Sequence, residues 1–144
     1  MMATFYTFKD KSNETLTKNP GDIDGQMFDI ADCTNSNLII MDNCEQVQID
    51  MVTNSRIFVG ACASSIFIRN CSNCVFYTCC RQLRLRDVTN CSFYIYSMSE
   101  VHIEYSNNVR FAPFNGGYPQ HREHLRRSNL DPTHNHSCSA SLTP

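Results

Sequence analysis

A repeat of about nine residues runs through most of the chain and limits the folds that it can adopt. Each unit starts at a small or apolar residue and closes with two small or apolar residues two positions apart. The units start at Cys33, Cys44, Val52, Cys62, Cys71, Cys80, Val88, Met98 and Ser106. Their closing pairs are Ser36/Leu38, Val47/Ile49, Ser55/Ile57, Ser65/Phe67, Cys74/Phe76, Leu83/Leu85, Cys91/Phe93, Val101/Ile103 and Val109/Phe111. Because successive side chains of a β-strand point to opposite faces, this alternation predicts one short strand per unit.

Two consecutive units form a longer period. Four equivalent positions follow one another at intervals of 18 residues: Cys44, Cys62, Cys80 and Met98. Nine residues are too few for one coil of a β-helix, whereas 18 provide two alternating faces. We therefore predict an all-β fold, a right-handed parallel β-helix (solenoid) with coils of about 18 residues that pair at about 4.8 Å. The predicted division is an N-terminal lead-in (1–18), the β-helix domain (19–114) and a C-terminal segment with a flexible tail, helical or irregular (115–144).

Composition excludes several classes of protein. The net charge is −2, whereas a general nucleic-acid binder needs a broad basic surface. No apolar run approaches membrane-spanning length, and the first residues, Met1–Thr4, contain neither a signal-peptide pattern nor a myristoylation motif. We expect a soluble intracellular protein that has no membrane anchor and binds no nucleic acid.

Nine cysteines raise the question of disulfides or a zinc site. Their number is odd, and the Cys71-x-x-Cys74 pair has no second pair at zinc-finger spacing. We interpret the repeat cysteines as reduced, buried residues stacked in a ladder. A second set of potential ligands is His121, His124, His134, His136 and Cys138, which is more typical of a flexible polar tail. We predict no metal site.

The segment Cys79–Asp87 is the most basic stretch in the middle of the chain. In a strand, Leu83 and Leu85 point inward while Arg84 and Arg86 point outward. Stacked coils place Gln48, Ile66 and His102 at the position of Arg84, and Asp50, Ile68 and Glu104 at the position of Arg86. Glu104 is then diagonal to Arg84, at about 7–8 Å, where a carboxylate can orient a guanidinium. The opposite face carries a column of aromatic residues, Phe58, Tyr77 and Tyr94.

Several ordered motifs resemble the tubulin cofactor C-like (C-CAP/cofactor C) domain family. They are Asn19-Pro20-Gly21-x-x-x-Gly25-Gln26-x-Phe28-x-Ile30-x-Asp32-Cys33-x-Asn35, Ile66-Phe67-Ile68-Arg69-Asn70-Cys71-x-x-Cys74, Gln82-Leu83-Arg84-Leu85-Arg86-Asp87, Ile103-Glu104, Arg110-Phe111-Ala112-Pro113-Phe114 and Tyr118-Pro119. Together they span roughly residues 5–135, and the third matches the Gln-x-x-Arg signature strand of the family. The resemblance implies a β-helix domain.

The resemblance also implies a function. Members of this family act as GTPase-activating proteins on Arf-like small GTPases or on tubulin, so this chain would be an activator rather than an enzyme. Arg84 would be the arginine finger, and Gln82 would contact the GTPase or order the site. The residues expected to orient the finger or bind the partner are Glu104, Arg86, Phe111 and Phe114. The partner supplies GTP and Mg²⁺, so no cofactor is expected, and the expected location is the cytoplasm, including the cytoskeleton, basal body or cilium.

The chain departs from the family pattern in three places. Arg81 replaces the first of two signature glutamines, Leu83 replaces an aromatic residue before the finger, and the tryptophan-containing terminal segment is absent. An alternative function is a non-catalytic cytoskeletal interaction module of the same fold, binding tubulin or actin. The Gln-x-x-Arg strand favours the activator, and the missing tryptophan segment favours the alternative. The oligomeric state stays open.

Overall fold

The computed structural model describes residues 6–130 and, as backbone, residues 140–143. This part of the chain forms ten strands and one helix. The strands are β1 (Thr7–Ser12), β2 (Thr15–Lys18), β3 (Phe28–Thr34), β4 (Asn37–Cys44), β5 (Val47–Thr53), β6 (Arg56–Ser72), β7 (Val75–Ser97), β8 (Val101–Glu104), β9 (Asn107–Pro113) and β10 (Ala140–Thr143). The helix is α1 (His121–Arg127), and no helix among the described residues is long and apolar enough to cross a membrane.

All strand pairings are parallel and join each coil to the next. The chain makes about six turns of about 19 residues each, which confirms the predicted β-helix. The first face contains β1, β3, β5, the second half of β6, the middle of β7, β8 and β10. The second face contains β2, β4, the first half of β6, the two ends of β7, and β9. The part of β7 that carries Arg84 and Arg86, here called the basic strand, lies on the first face. The aromatic column lies on the second face.

Left-handed backbone at the corners lets the chain turn from one face to the next. One corner carries Asn35, Asn54, Asn73, Asn90 and Asn108, all at φ between 51° and 56°. The corner that follows the first-face strands carries Asp32, Met51, Asn70, Asp87 and Tyr105, at φ between 50° and 58°. Asparagine and aspartate tolerate this conformation better than bulkier residues do. Met51 and Tyr105 are therefore unusual occupants, and both side chains are largely exposed.

The interior is filled by the apolar residues of the repeat, as predicted. Phe76 stacks on Phe93 with ring centroids 4.8 Å apart, and Phe93 stacks on Phe111 at 5.2 Å. The register pairs Cys44 with Cys62 and Cys62 with Cys80, which confirms the cysteine ladder. All eight cysteines among the described residues are buried and free. Aromatic stacks and thiols therefore continue from coil to coil along the core.

One repeat unit differs from its predicted register. The pairing of β6 with β7 shifts between Cys62 and Ser65, so this coil contains one extra residue at the corner. As a result Ile66 and Ile68 are fully buried, whereas Phe67 is half-buried and points outward. The predicted inward pair Ser65/Phe67 is wrong, and so is the placement of Ile66 and Ile68 beside the arginines.

The coils also extend beyond the predicted boundaries. Residues 7–18, predicted as a lead-in, form β1 and β2 and pair with β3 and β4. At the other end, β10 lies within the predicted flexible tail and pairs with β8 on the first face. His134, His136 and Cys138 of the predicted tail lie outside the described residues.

Candidate functional site

The basic strand lies in the centre of the first face. The middle of β7 pairs with β6 on one side and with β8 on the other, so its backbone is fixed along both edges. Leu83 and Leu85 are buried, at 0% and 1% exposure. Arg84 and Arg86 are exposed on the outer surface. A strand held in this way presents its outward side chains from a rigid base.

Arg84 lies between Phe67 of β6 and His102 of β8. Its guanidinium stands over the Phe67 ring, 5.1 Å from the ring centroid. Such a contact is a cation–π interaction, worth about 0.5–1 kcal/mol at an exposed site. No carboxylate among the described residues lies within ion-pair distance of Arg84. The charge of Arg84 is therefore available to an anionic group of a partner.

Arg86 has different neighbours. The register pairs it with Arg69 on one side and Glu104 on the other. Its guanidinium stands over Tyr105 at 5.3 Å, and its Nε lies 3.8 Å from Asp87 Oδ2. An exposed ion pair of this length contributes little to stability. Arg86 is thus held at the corner of the coil, while Arg84 lies on the flat part of the face.

Glu104 occupies the predicted position, beside Arg86 and diagonal to Arg84. Among the described side chains, however, it forms no ion pair with either arginine. The orientation of Arg84 by Glu104 stays a prediction. In this structure the group in contact with Arg84 is Phe67, which the predicted register had placed in the interior.

The two residues before Leu83 have separate environments. Gln82 is half-buried on the first face and pairs in register with Ser65. Arg81 donates from Nε to the carbonyl of Ala63 (3.2 Å) and from an Nη to the carbonyl of Asn129 (3.0 Å). Arg81, which replaces a signature glutamine, therefore ties the segment after α1 to the solenoid.

Phe111 and Phe114 lie away from Arg84. Phe111 ends the interior stack on the second face. Phe114 follows β9 and packs against Phe58 and His121, with ring centroids 5.8 Å and 5.4 Å away. Neither residue lies beside Arg84, and their role in orienting Arg84 or binding a partner stays a prediction.

A buried polar cluster lies beneath α1, where a flexible tail was predicted. His124 and Asp42 are each 1% exposed, and His124 Nε2 lies 3.5 Å from Asp42 Oδ1. The other ring nitrogen of His124 is 2.6 Å from the Tyr118 hydroxyl. His121 Nε2 is 2.6 Å from the carbonyl oxygen of Gly60, and a methyl group at Gly60 would lie 2.6 Å from a ring carbon of Tyr118. The cluster therefore docks α1 onto the solenoid.

Burial decides the protonation states in this cluster. It lowers the pKa of both His124 and His121, because the imidazolium would lose its hydration. Burial by itself raises the pKa of Asp42, but hydrogen bonds from the backbone N–H groups of Asp24 (2.9 Å) and Ile23 (2.7 Å) outweigh it, and the pKa is lowered. Asp42 is thus a carboxylate. Asp42 Oδ1 faces His124 Nε2 at 3.5 Å but accepts no hydrogen bond from the described residues. With a neutral His124, Nδ1 can accept from the Tyr118 hydroxyl.

Among the eight described cysteines, the pKa is raised in all except Cys91, whose pKa is lowered chiefly by a hydrogen bond from Cys74. Burial raises the pKa of Cys62 and of Cys71 to about 12 in each case, so these thiols stay protonated near neutral pH and are poor nucleophiles and ligands. No group of three or more metal-ligating side chains occurs in the part of the chain that the structure describes.

Comparisons with known proteins identify relatives of this chain. A family model described as tubulin binding cofactor C matches residues 25–141. Tubulin-specific chaperone C of Homo sapiens is 21% identical over 128 residues, which cover 89% of this chain and 37% of that protein. TBCC domain-containing protein 1 of Gallus gallus is 28% identical over 118 residues, which cover 81% of this chain and 21% of that protein. The chain thus spans less than half the length of these curated relatives.

Proposed function

This chain belongs to the tubulin binding cofactor C family, and from that premise we propose that it acts in tubulin biology as a GTPase activator whose arginine finger is Arg84. The observation that carries the proposal is the setting of Arg84. It is an exposed guanidinium without an ion-pair partner among the described residues, on a strand hydrogen-bonded along both edges. A preorganised cation suits the charge that develops on a transferring phosphoryl group.

Tubulin is the preferred partner, because the human relative is named a tubulin-specific chaperone. Arf-like small GTPases are the second candidates, from the family resemblance alone. In either case the partner carries GTP and Mg²⁺, and this chain contributes Arg84 as the catalytic residue and Gln82 as its neighbour on the same face. The protein would then work in the cytoplasm, where tubulin is found.

The test is single-turnover GTP hydrolysis by tubulin, alone and with the other tubulin cofactors, and by a panel of Arf-like GTPases. We expect wild type to stimulate one of them and Arg84→Ala to lose that stimulation, since a finger is worth about 10³–10⁵ in rate. Arg81→Ala is the control for removal of an arginine from the same strand. It breaks bonds to Ala63 and Asn129 and should retain more activity than Arg84→Ala.

The thermal midpoint of Arg84→Ala should stay close to that of wild type, because the side chain is exposed, forms no ion pair with described residues and loses only a cation–π contact worth about 0.5–1 kcal/mol. Equal stimulation by wild type and Arg84→Ala would contradict the finger assignment. An absence of stimulation by wild type with every partner, combined with binding to tubulin or actin, would favour the non-catalytic interaction module.

Glu104 supplies a separate test of the site. We propose that its carboxylate pairs with Arg84 once a partner is bound, since it lies on the adjacent strand, diagonal to Arg84. Glu104→Ala should reduce stimulation by about tenfold, the value of one charge-assisted hydrogen bond, and leave the thermal midpoint unchanged. A large drop in the midpoint would instead make Glu104 a structural residue.

A further inference from the structure

Phe67 is an apolar ring in an otherwise polar column of the first face. The register of the neighbouring coils places Asp29, Gln48, Arg84 and His102 in the same column. The extra residue between Cys62 and Ser65 shifts the register of the following strand by one residue, and this shift places Phe67 in the outward column. The apolar side chains on either side of it in sequence are both fully buried. An aromatic residue therefore stands on the surface directly beside Arg84.

The ring makes contact with two guanidinium groups. Arg84 stands 5.1 Å from its centroid and Arg69 stands 5.3 Å from it. Arg69 is itself fixed, because its Nη bonds Asp50 at 3.3 Å, and Asp50 also accepts from the Asn70 side chain at 3.0 Å. The Phe67 ring is thus flanked by Arg69, which Asp50 holds in place. Of the two arginines at the ring, only Arg84 has no carboxylate partner among the described residues.

We propose that Phe67 is a positioning residue for Arg84: its ring holds the guanidinium extended over the first face before a partner arrives. This inference rests on the proposed function, in which Arg84 enters the nucleotide site of a GTPase. A free arginine side chain samples many rotamers, and a cation–π contact over a ring restricts them without using the hydrogen-bonding edge of the guanidinium. That edge remains available for the phosphoryl oxygens.

The role predicts a specific kinetic effect. Phe67 contacts Arg84. If it acts only through that residue, its loss should reduce the maximal stimulated rate and leave the half-saturating concentration of activator unchanged. Phe67→Leu should lower that rate about tenfold, because a misplaced catalytic group costs up to about 10²-fold and the stack alone is worth about fivefold. Phe67→Tyr keeps the ring and should restore the wild-type rate.

The experiment combines stimulated GTP hydrolysis with a measurement on the free protein. In the free protein, the arginine Nε–Hε signals in a ¹⁵N–¹H spectrum report ring-current shifts, and the Arg84 signal should move toward its unstacked position in Phe67→Leu but not in Phe67→Tyr. Tyr94→Leu is the control, since Tyr94 is an outward ring stacked on Tyr77 on the second face. It should change neither the Arg84 signal nor the rate.

The outcomes separate the two proposals. If wild type stimulates hydrolysis and Arg84→Ala does not, but Phe67→Leu retains the full rate, the positioning role is overturned and the finger stands. A higher half-saturating concentration with an unchanged maximal rate would make Phe67 a partner contact, which also overturns the positioning role. If wild type stimulates no partner, the proposed function fails, and the positioning role fails with it. Equal thermal midpoints of the Phe67 variants would show that folding is not the cause.

Discussion

Arg84 on the first face and Asp42 beneath α1 are both charged side chains that point outward from the coils of the same solenoid. Arg84 is exposed, stacks on Phe67 and has no ion-pair partner among the described residues. Asp42 is 1% exposed, accepts two backbone N–H groups and lies 3.5 Å from His124. The difference arises from what covers each side chain: α1 and Tyr118 cover Asp42, whereas Arg84 faces solvent.

This contrast shows how a β-helix separates stability from function. A buried charge must be satisfied, and removing its partners is costly. An exposed charge on a rigid strand adds little to stability, so it remains available to bind a partner. Substitutions beneath α1 should therefore act on folding, and substitutions on the first face should act on activity. Three measurements test this distinction.

The largest effect on stability is expected from Asp42→Ala. The change removes the acceptor of two backbone hydrogen bonds and leaves His124 without its carboxylate, so the free energy of unfolding should fall by about 3 kcal/mol. Urea denaturation measures it. Asp50→Ala on the first face is the matched control: its ion pair with Arg69 is partly exposed, and it should cost less than about 1 kcal/mol. Similar losses in the two variants would contradict the contrast.

A second, smaller effect is the pH dependence of stability. The pKa of His121 and of His124 is lowered in the folded chain by burial, relative to an ordinary value of 6.5. The unfolded chain therefore binds these protons more tightly, so the stability contribution is complete above about pH 6.5 and is lost as the pH falls below it. Between pH 7 and pH 5 we therefore expect the free energy of unfolding to fall, by at most about 1.4 kcal/mol per histidine and pH unit.

The pKa of Asp42 is also lowered, from 3.8, so its own contribution is lost only at still lower pH. Urea titrations at pH 7, 6 and 5 therefore report the histidine range without a contribution from Asp42. His124→Gln should flatten the curve between pH 7 and pH 5. An identical pH dependence in His124→Gln and wild type would contradict a contribution from His124.

The smallest effect concerns the corner residues of the first face. Asparagine tolerates positive φ better than tyrosine or methionine does. Tyr105→Asn loses the stack on Arg86 and should change the free energy of unfolding by less than about 0.5 kcal/mol. Met51→Asn, at φ 58°, should stabilise by about 0.5–1 kcal/mol. Thermal denaturation of both variants measures the difference, and a large destabilisation by Tyr105→Asn would mean that the contact with Arg86 is structural.

Much of the scaffold could be predicted from the repeat. Leu83 and Leu85 are inside, Arg84 and Arg86 are outside, and Glu104 is beside Arg86, because strict alternation and a coil of nearly constant length determine which residues stack. The prediction failed at Phe67, where one extra residue at a corner reverses inside and outside for the following strand. Both alternatives, Phe67 or the isoleucines, provide an apolar interior, so hydrophobicity alone did not distinguish them.

The docking of α1 could not be predicted by any local pattern. Asp42 and His124 are far apart in sequence, and the histidines near the C-terminus have the composition of a solvent-exposed tail. Only the path of the chain after β9 brings Phe114, Tyr118 and α1 back over the side of the solenoid. Desolvation there then determines the protonation of the histidines and of Asp42.

The alternation of side chains and the length of one repeat were enough to predict the parallel β-helix, the interior of its other coils and the position of the Arg84 strand. The tertiary structure decided the outward turn of Phe67, the stack on Arg84 and the burial of His121, His124 and Asp42. These features depend on one corner insertion and on contacts between segments distant in the chain, and neither leaves a periodic signal in the sequence.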